Sequence, residues 1–250
     1  MQQADQIKFN YRDRNSIPDF IEYEKPIILE CYEADMTDND WESIKVYAKI
    51  CKNDFYLCLS NLEHARKANE LHIKWYWGYP VNSYYEIHGL VNLGSEYIRL
   101  GAPIFFDWEQ FRRACPGVKV RHVPNVAYSD GLPRPDGVTG TWIRPEDLDY
   151  YEGWISVIEF EDADREKEAE LFNIYMVQRE WPTDLGLLIT NLNHIGVNRM
   201  IPPDFVSHRL TCQQRCEGAG KCQICYRTLS IANPDLVQKY KDTWDNQSLI

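Results

Sequence analysis

Phe55-Tyr-Leu-Cys-Leu59, Ser60-Asn61, Leu62-Glu-His-Ala-Arg-Lys-Ala-Asn-Glu70, Leu71-His72, Ile73-Lys-Trp-Tyr-Trp77 reads as strand, cap, helix, turn and strand. Five apolar residues in a row suit a strand buried on both faces. Asn61 then stands where a side-chain oxygen can take the free amides of a helix N-terminus. Upstream, Ile27-Ile-Leu-Glu-Cys31 follows Pro26 as an earlier strand. Asp38 or Asp40 can cap a helix carrying Trp41, Ile44, Val46, Ala48 and Ile50.

The same rhythm runs downstream. Ser83 opens a helix with Tyr84, Ile87, Leu90 and Val91, and Gly94 stands at its C′ position. Glu96–Leu100 is the fourth strand. Asp107 opens a helix with Trp108 and Phe111, closed before Pro116-Gly117, and Val118–Val123 is the fifth strand. Pro124–Gly137, rich in Pro, Gly and Asp, is an irregular excursion. A sixth strand is expected around Thr139–Ile143, and Pro145 fits the first position of a helix over Glu146–Tyr151. Trp154–Phe160 is the seventh strand, Arg165–Glu180 a long helix with Leu171, Ile174, Tyr175 and Val177, and Leu185–Thr190 the eighth strand. A last helix starts at Pro234, capped by Asn233.

Eight short apolar strands alternating with amphipathic helices predict a parallel sheet, and eight such units in roughly 250 residues predict an α/β fold of the (β/α)8, TIM-like barrel type. An open doubly wound sheet is the alternative, weakened because no Gly-x-Gly-x-x-Gly follows the first strand. The expected organisation is a polar lead-in over residues 1–25 and a single barrel domain over 26–250. Within it, residues 191–232 form a long cysteine-rich, metal-binding loop after strand eight.

Charge and composition narrow the function classes. The formal net charge of −11 excludes a chain-wide basic footprint for nucleic acid. Met1–Arg14 is polar and lacks the apolar core of a signal peptide, and no apolar run approaches the roughly 18 residues a spanning helix needs. The expectation is a cytoplasmic protein with no membrane partner. Cys31, Cys51, Cys58 and Cys115 read as buried free thiols. Eight Trp and sixteen Tyr suit aromatic-lined pockets or interfaces, or simply an aromatic core.

In a barrel, chemistry sits at the carboxyl ends of the strands. There Arg99, Arg121 and Arg144 can grip an anionic small molecule or a nucleotide, because a guanidinium fork matches a carboxylate or phosphate. Asn125, Asn191 and Asn193 are further ligand-binding candidates. Glu159, His122 and His194 are the candidate catalytic groups, able to move a proton. The competing reading pairs the arginines with strand-end carboxylates or with acids of the outer helices. The acidic run Glu159–Asp164 could hold a divalent cation, and reads equally as a solvated loop complementing the next helix N-terminus.

Cys212, Cys216, Cys222 and Cys225 follow a Cys-x3-Cys-x5-Cys-x2-Cys spacing, with Gly218 and Gly220 between them. Four thiolates this close usually hold a metal. Tetrahedral zinc would be closed and structural; a four-iron-four-sulfur cluster takes the same ligands. His208 could replace one cysteine. Arg215, Lys221 and Arg227 make the segment locally basic, to offset thiolate charge or to contact phosphate.

No Gly-x-Ser-x-Gly, P-loop or His-Glu-x-x-His occurs, so the commonest hydrolase, NTPase and zinc-protease signatures are missing. Three functions stay open. The first is a metal-containing barrel protein that binds or modifies an anionic small molecule or nucleotide moiety. The second is a non-enzymatic structural or assembly protein, a viral one included, stiffened by zinc for a protein partner or oligomer. The third is an RNA- or DNA-modifying enzyme docking through the basic segment.

Asn82-Ser-Tyr-Tyr-Glu-Ile-His-Gly-Leu-Val-Asn-Leu-Gly94, with Ser95-Glu-Tyr-Ile-Arg99, resembles the helix-to-strand step of the collagenase-like peptidase family, which includes RNA hydroxylation and quinone-hydroxylation accessory proteins. Ile143-Arg-Pro-Glu-Asp-Leu148 and Trp154-Ile-Ser-Val-Ile-Glu159 are similar to its later half. The resemblance spans about Pro80 to Trp181 and implies a barrel and, in several members, a four-cysteine iron–sulfur cluster. The family's dispersed cysteines and the cysteine-bearing segment after its fifth strand have no counterpart here, so neither cluster nor activity carries over residue by residue.

Overall fold

The computed structural model describes residues 6–12, 25–32, 34–51, 55–105, 107–126, 141–160, 165–180, 188, 201 and 204–210. The chain divides into two compact units, Met1–Val81 with Tyr85–Arg99, and Asn82–Tyr84 with Leu100–Ile250.

The first unit is built on a four-stranded parallel sheet in sequence order: β1 (Ile7–Asn10), β2 (Ile27–Cys31), β3 (Phe55–Leu59) and β4 (Lys74–Trp77). Leu29 pairs with Leu57, and Leu57 with Trp75. Every residue of β3 is buried, as its unbroken apolar run requires. Helix α1 (Asp38–Ile50) is capped by Thr37 rather than by either aspartate: Thr37 and Asp40 form a reciprocal capping box. Its buried stripe is Trp41 and Ile44, whereas Val46 and Ile50, expected on that face, are exposed. Helix α2 (Leu62–Glu70) is capped by Asn61, whose Oδ1 accepts from the amides of Glu63 (2.7 Å) and His64 (3.4 Å). Two-residue strands β5 (Pro80–Val81) and β6 (Arg99–Leu100) flank α3 (Tyr84–Leu93), which ends at Gly94 with φ +106°.

In the second unit come α4 (Ala102–Phe105), α5 (Trp108–Ala114), β7 (Arg121–His122), a 3-10 helix over Pro145–Tyr151 and β8 (Val157–Ile158). They are followed by α6 (Arg165–Phe172), a π-helical segment over Asn173–Gln178 and α7 (Phe205–Leu210). Asp107 caps α5 through the Gln110 amide at 3.2 Å. An aromatic core joins Phe105, Trp108, Phe111, Tyr151 and Trp154.

The expected (β/α)8 barrel is not what forms. The described strands make sheets of four, two and two, and none closes. Closure needs each strand paired on both sides around the ring. At β4 side-chain bonding enters the ladder: the Trp77 amide donates to Ser95 Oγ at 3.1 Å, while the Glu96 amide donates to the Trp75 carbonyl at 2.9 Å. The fourth, fifth and seventh predicted strands shrink to Arg99–Leu100, Arg121–His122 and Val157–Ile158, and Thr141–Ile143 is not a strand. Of the predicted eighth strand only Leu188 is described, buried and in a turn.

Candidate functional site

In the second unit, β7 and β8 run parallel, with Arg121 opposite Val157 and His122 opposite Ile158. Strand β7 and the chain beyond both strands carry buried polar side chains. Arg121, His122 and Asn125 are each 2 % exposed and Glu159 is 5 % exposed. Arg121 Nε faces Glu159 Oε2 in a buried ion pair, and the Glu159 amide donates to the His122 carbonyl at 3.0 Å. The His122 ring lies flat on Phe105, centroids 4.7 Å apart at 9°, and Phe105 stacks in turn on Tyr151 at 5.5 Å.

Arg144 reaches the same region through the backbone. The Ile143 amide donates to the Pro124 carbonyl at 3.0 Å, which sets Arg144 beside the segment bearing Asn125. The Arg144 guanidinium forks onto Asp147, Nη2 to Oδ1 at 2.9 Å with Nε on Oδ2, and Nη1 lies 3.8 Å from Glu146. Both arginines are thus held by carboxylates, Arg121 by a strand-end acid and Arg144 by the following helical turn. Guanidiniums retain donors beyond those a single carboxylate accepts.

Arg99 belongs to the first unit. Its Nη1 donates to Tyr32 Oη at 2.9 Å and to the Gly78 carbonyl at 2.7 Å. The neighbouring Cys58 thiol is pushed up by burial, with Arg99 opposing the shift. A buried thiol held protonated is a poor nucleophile. Cys31, Cys51 and Cys115 are likewise buried and not in disulfides, and burial raises Cys51 and Cys115 as well.

Asn191, Asn193, His194 and all four clustered cysteines lie outside the described residues. Among the described residues no group of three His, Cys, Asp or Glu side chains is placed to hold a metal, and no helix is long and apolar enough to cross a membrane. Two residues of the site escaped the sequence reading. Asp147 was legible in principle, since Pro145 starts a helical turn and places residues 144 and 147 on one face. Tyr175 was read only as a core residue; a buried phenol needs a hydrogen-bond partner, but sequence does not name a backbone carbonyl.

The chain matches no protein-family model and none of the curated proteins.

Proposed function

We propose that the second unit binds a small anionic molecule, a phosphate or carboxylate of the kind nucleotides carry, where β7 and β8 end, and that the cysteine segment binds zinc. The observation that carries this reading is the burial of Arg121, His122, Asn125 and Glu159 at the carboxyl end of a parallel strand pair, where α/β sheets hold ligands. A buried ion pair is often no more stabilising than apolar residues of equal volume, so stability alone is a weak reason to keep one. In this reading Glu159 occupies the Arg121 fork that the ligand anion takes. The displaced carboxylate, with His122, is then the group that moves a proton.

Cys212, Cys216, Cys222 and Cys225 offer four thiolates, the donor set of a closed structural zinc site. A bound zinc would brace the segment and supply no open position for substrate. A four-iron-four-sulfur cluster is the alternative, which the resemblance to the collagenase-like peptidase family keeps in view. The non-enzymatic reading has its own support in Arg144, whose guanidinium is committed to Asp147.

Calorimetric titration with inorganic phosphate and with AMP tests the binding reading. Wild-type protein should bind at least one of them, and Arg121→Lys, which keeps the charge but loses the fork, should bind about tenfold more weakly while remaining folded by circular dichroism. No binding by wild type at millimolar ligand would sink the anion site.

A further inference from the structure

One side chain touches the chain beside three of the buried polar residues. Tyr175 is fully buried, and its hydroxyl lies 2.9 Å from the Ile143 carbonyl and 3.3 Å from the Pro124 carbonyl. Its ring packs on Phe160 with centroids 5.3 Å apart. Each of these neighbours adjoins a polar site residue: Pro124 precedes Asn125, Ile143 precedes Arg144, and Phe160 follows Glu159.

We propose that Tyr175 is the positioning residue of this site, fixing through Pro124, Ile143 and Phe160 where Asn125, Arg144 and Glu159 stand. The inference rests on the reading of the site given above. A phenol has one proton to donate, so the two carbonyls share it, and the hydroxyl holds them at a common point. The Ile143 amide closes the same junction by donating to the Pro124 carbonyl at 3.0 Å. Burial, with Glu146 and Asp147 adding to it, pushes the phenol well up, so the proton that makes the clamp stays in place. The backbone around Tyr175 is also unusual. Helix α6 continues as a π-helix, and Arg179 (φ 57°) closes it by donating to the Ile174 carbonyl at 2.8 Å. The wider turn changes the angle at which side chains leave the helix, and such turns occur frequently at functional sites.

The test compares Tyr175→Phe with Ile174→Val, a neighbouring buried change on the same segment, by NMR of the full chain and by phosphate titration. In Tyr175→Phe, exchange of the Ile143 amide should quicken by about fivefold, the worth of one hydrogen bond. The Asn125 side-chain amide and Arg144 Nε–H signals should move, and phosphate affinity should fall. In Ile174→Val these readouts should stay at wild type while the melting temperature drops. Unmoved signals in Tyr175→Phe, or equal movement in Ile174→Val, would overturn the proposal. Phe160→Leu, which leaves the hydroxyl in place, provides a second variant. It should move the Arg121 Nε–H signal and leave Ile143 exchange unchanged; quickened Ile143 exchange there would count against the hydroxyl. If the signals move as expected but wild type binds no phosphate, the positioning role stands and the anion reading fails.

Discussion

The indole N–H of Trp75 donates to Oδ1 of Asn69 at 2.8 Å, and the same amide gives its Nδ2 proton to the Leu93 carbonyl at 2.6 Å. One side chain near the end of α2 therefore serves β4 and the last carbonyl of α3. Asn69→Ala leaves a buried indole donor and a helix-end carbonyl without these partners. The expected loss is about 2–3 kcal/mol, from two hydrogen bonds of about 1 kcal/mol each plus the desolvation left behind. Asn69→Asp should lose a similar amount, because the second oxygen faces the Leu93 carbonyl where the amide had donated. Urea unfolding of both variants checks this; a loss under about 0.5 kcal/mol would mean that the bracket carries no stability.

Gly78 has no room for a side chain. A Cβ there would run into Tyr32 Cε1 and stand 2.8 Å from Cys58 Sγ. Cys58 is a buried residue of β3 and Tyr32 a half-buried one just after β2, and Tyr32 also bonds Arg99 and the Gly78 carbonyl. Gly78→Ala should cost about 1–3 kcal/mol, the range for an extra methyl in a packed interior. Cys58→Ala removes the sulfur but not the ring, so the double variant should recover only part of the loss. Full recovery would show the thiol alone to be the obstacle.

Much of the first unit was legible because its signals are local. The apolar run of β3 and the asparagine before α2 specify a buried strand and a capped helix without reference to the rest of the chain. The capping residue of α1 was misread because Thr37, Asp38 and Asp40 all suit the position, and only the reciprocal bond between Thr37 and Asp40 decides. Barrel closure depends on pairing between distant strands, which periodicity does not encode. Ser95 diverting the Trp77 amide is a side-chain event that no strand pattern foretells. In the second unit the buried charges Arg121, Arg144 and Glu159 were found from their places at strand ends. Carboxylate partners were one of the two readings left open, since a strand-end arginine looks the same in sequence whether it meets a ligand or an acid, and which acid each arginine meets was not legible.

Stability should fall at alkaline pH through two tyrosines. Tyr32 and Tyr175 are both pushed above the ordinary value of 10.0 by burial. A group whose pKa is raised by folding ionises first in the unfolded chain, so its contribution is intact below about pH 10 and is lost as pH rises beyond that. Spectrophotometric titration should find these two phenols among those that ionise only together with unfolding. Tyr32→Phe and Tyr175→Phe should each flatten the alkaline fall in stability, apart from any constant loss. An alkaline limb of unchanged slope in both variants would contradict the assignment.

The cysteine segment makes a prediction of its own. Protein purified without chelator should contain about one zinc per chain by elemental analysis, with Cys222→Ser and Cys225→Ser each lowering it severalfold. Brown protein containing iron and sulfide would replace zinc by a cluster. Metal-free, fully folded protein in which all four thiols react freely would remove the metal altogether.

The last prediction separates the two meanings of the Arg121–Glu159 pair. If Glu159 stands where a ligand anion goes, Glu159→Gln removes a competing charge while keeping a hydrogen-bond acceptor of the same shape. Phosphate should then bind about tenfold more tightly, a change of about 1.4 kcal/mol, and any proton transfer that depends on the carboxylate should be lost. If the pair is only structural, the same substitution removes the charge of the carboxylate that the buried Arg121 faces and lowers stability, by up to about 3–5 kcal/mol where the amide compensates poorly, with no gain in phosphate affinity. Measuring phosphate affinity and unfolding free energy on one Glu159→Gln preparation distinguishes these outcomes: tighter binding supports the site, and destabilisation without tighter binding assigns the pair to the fold.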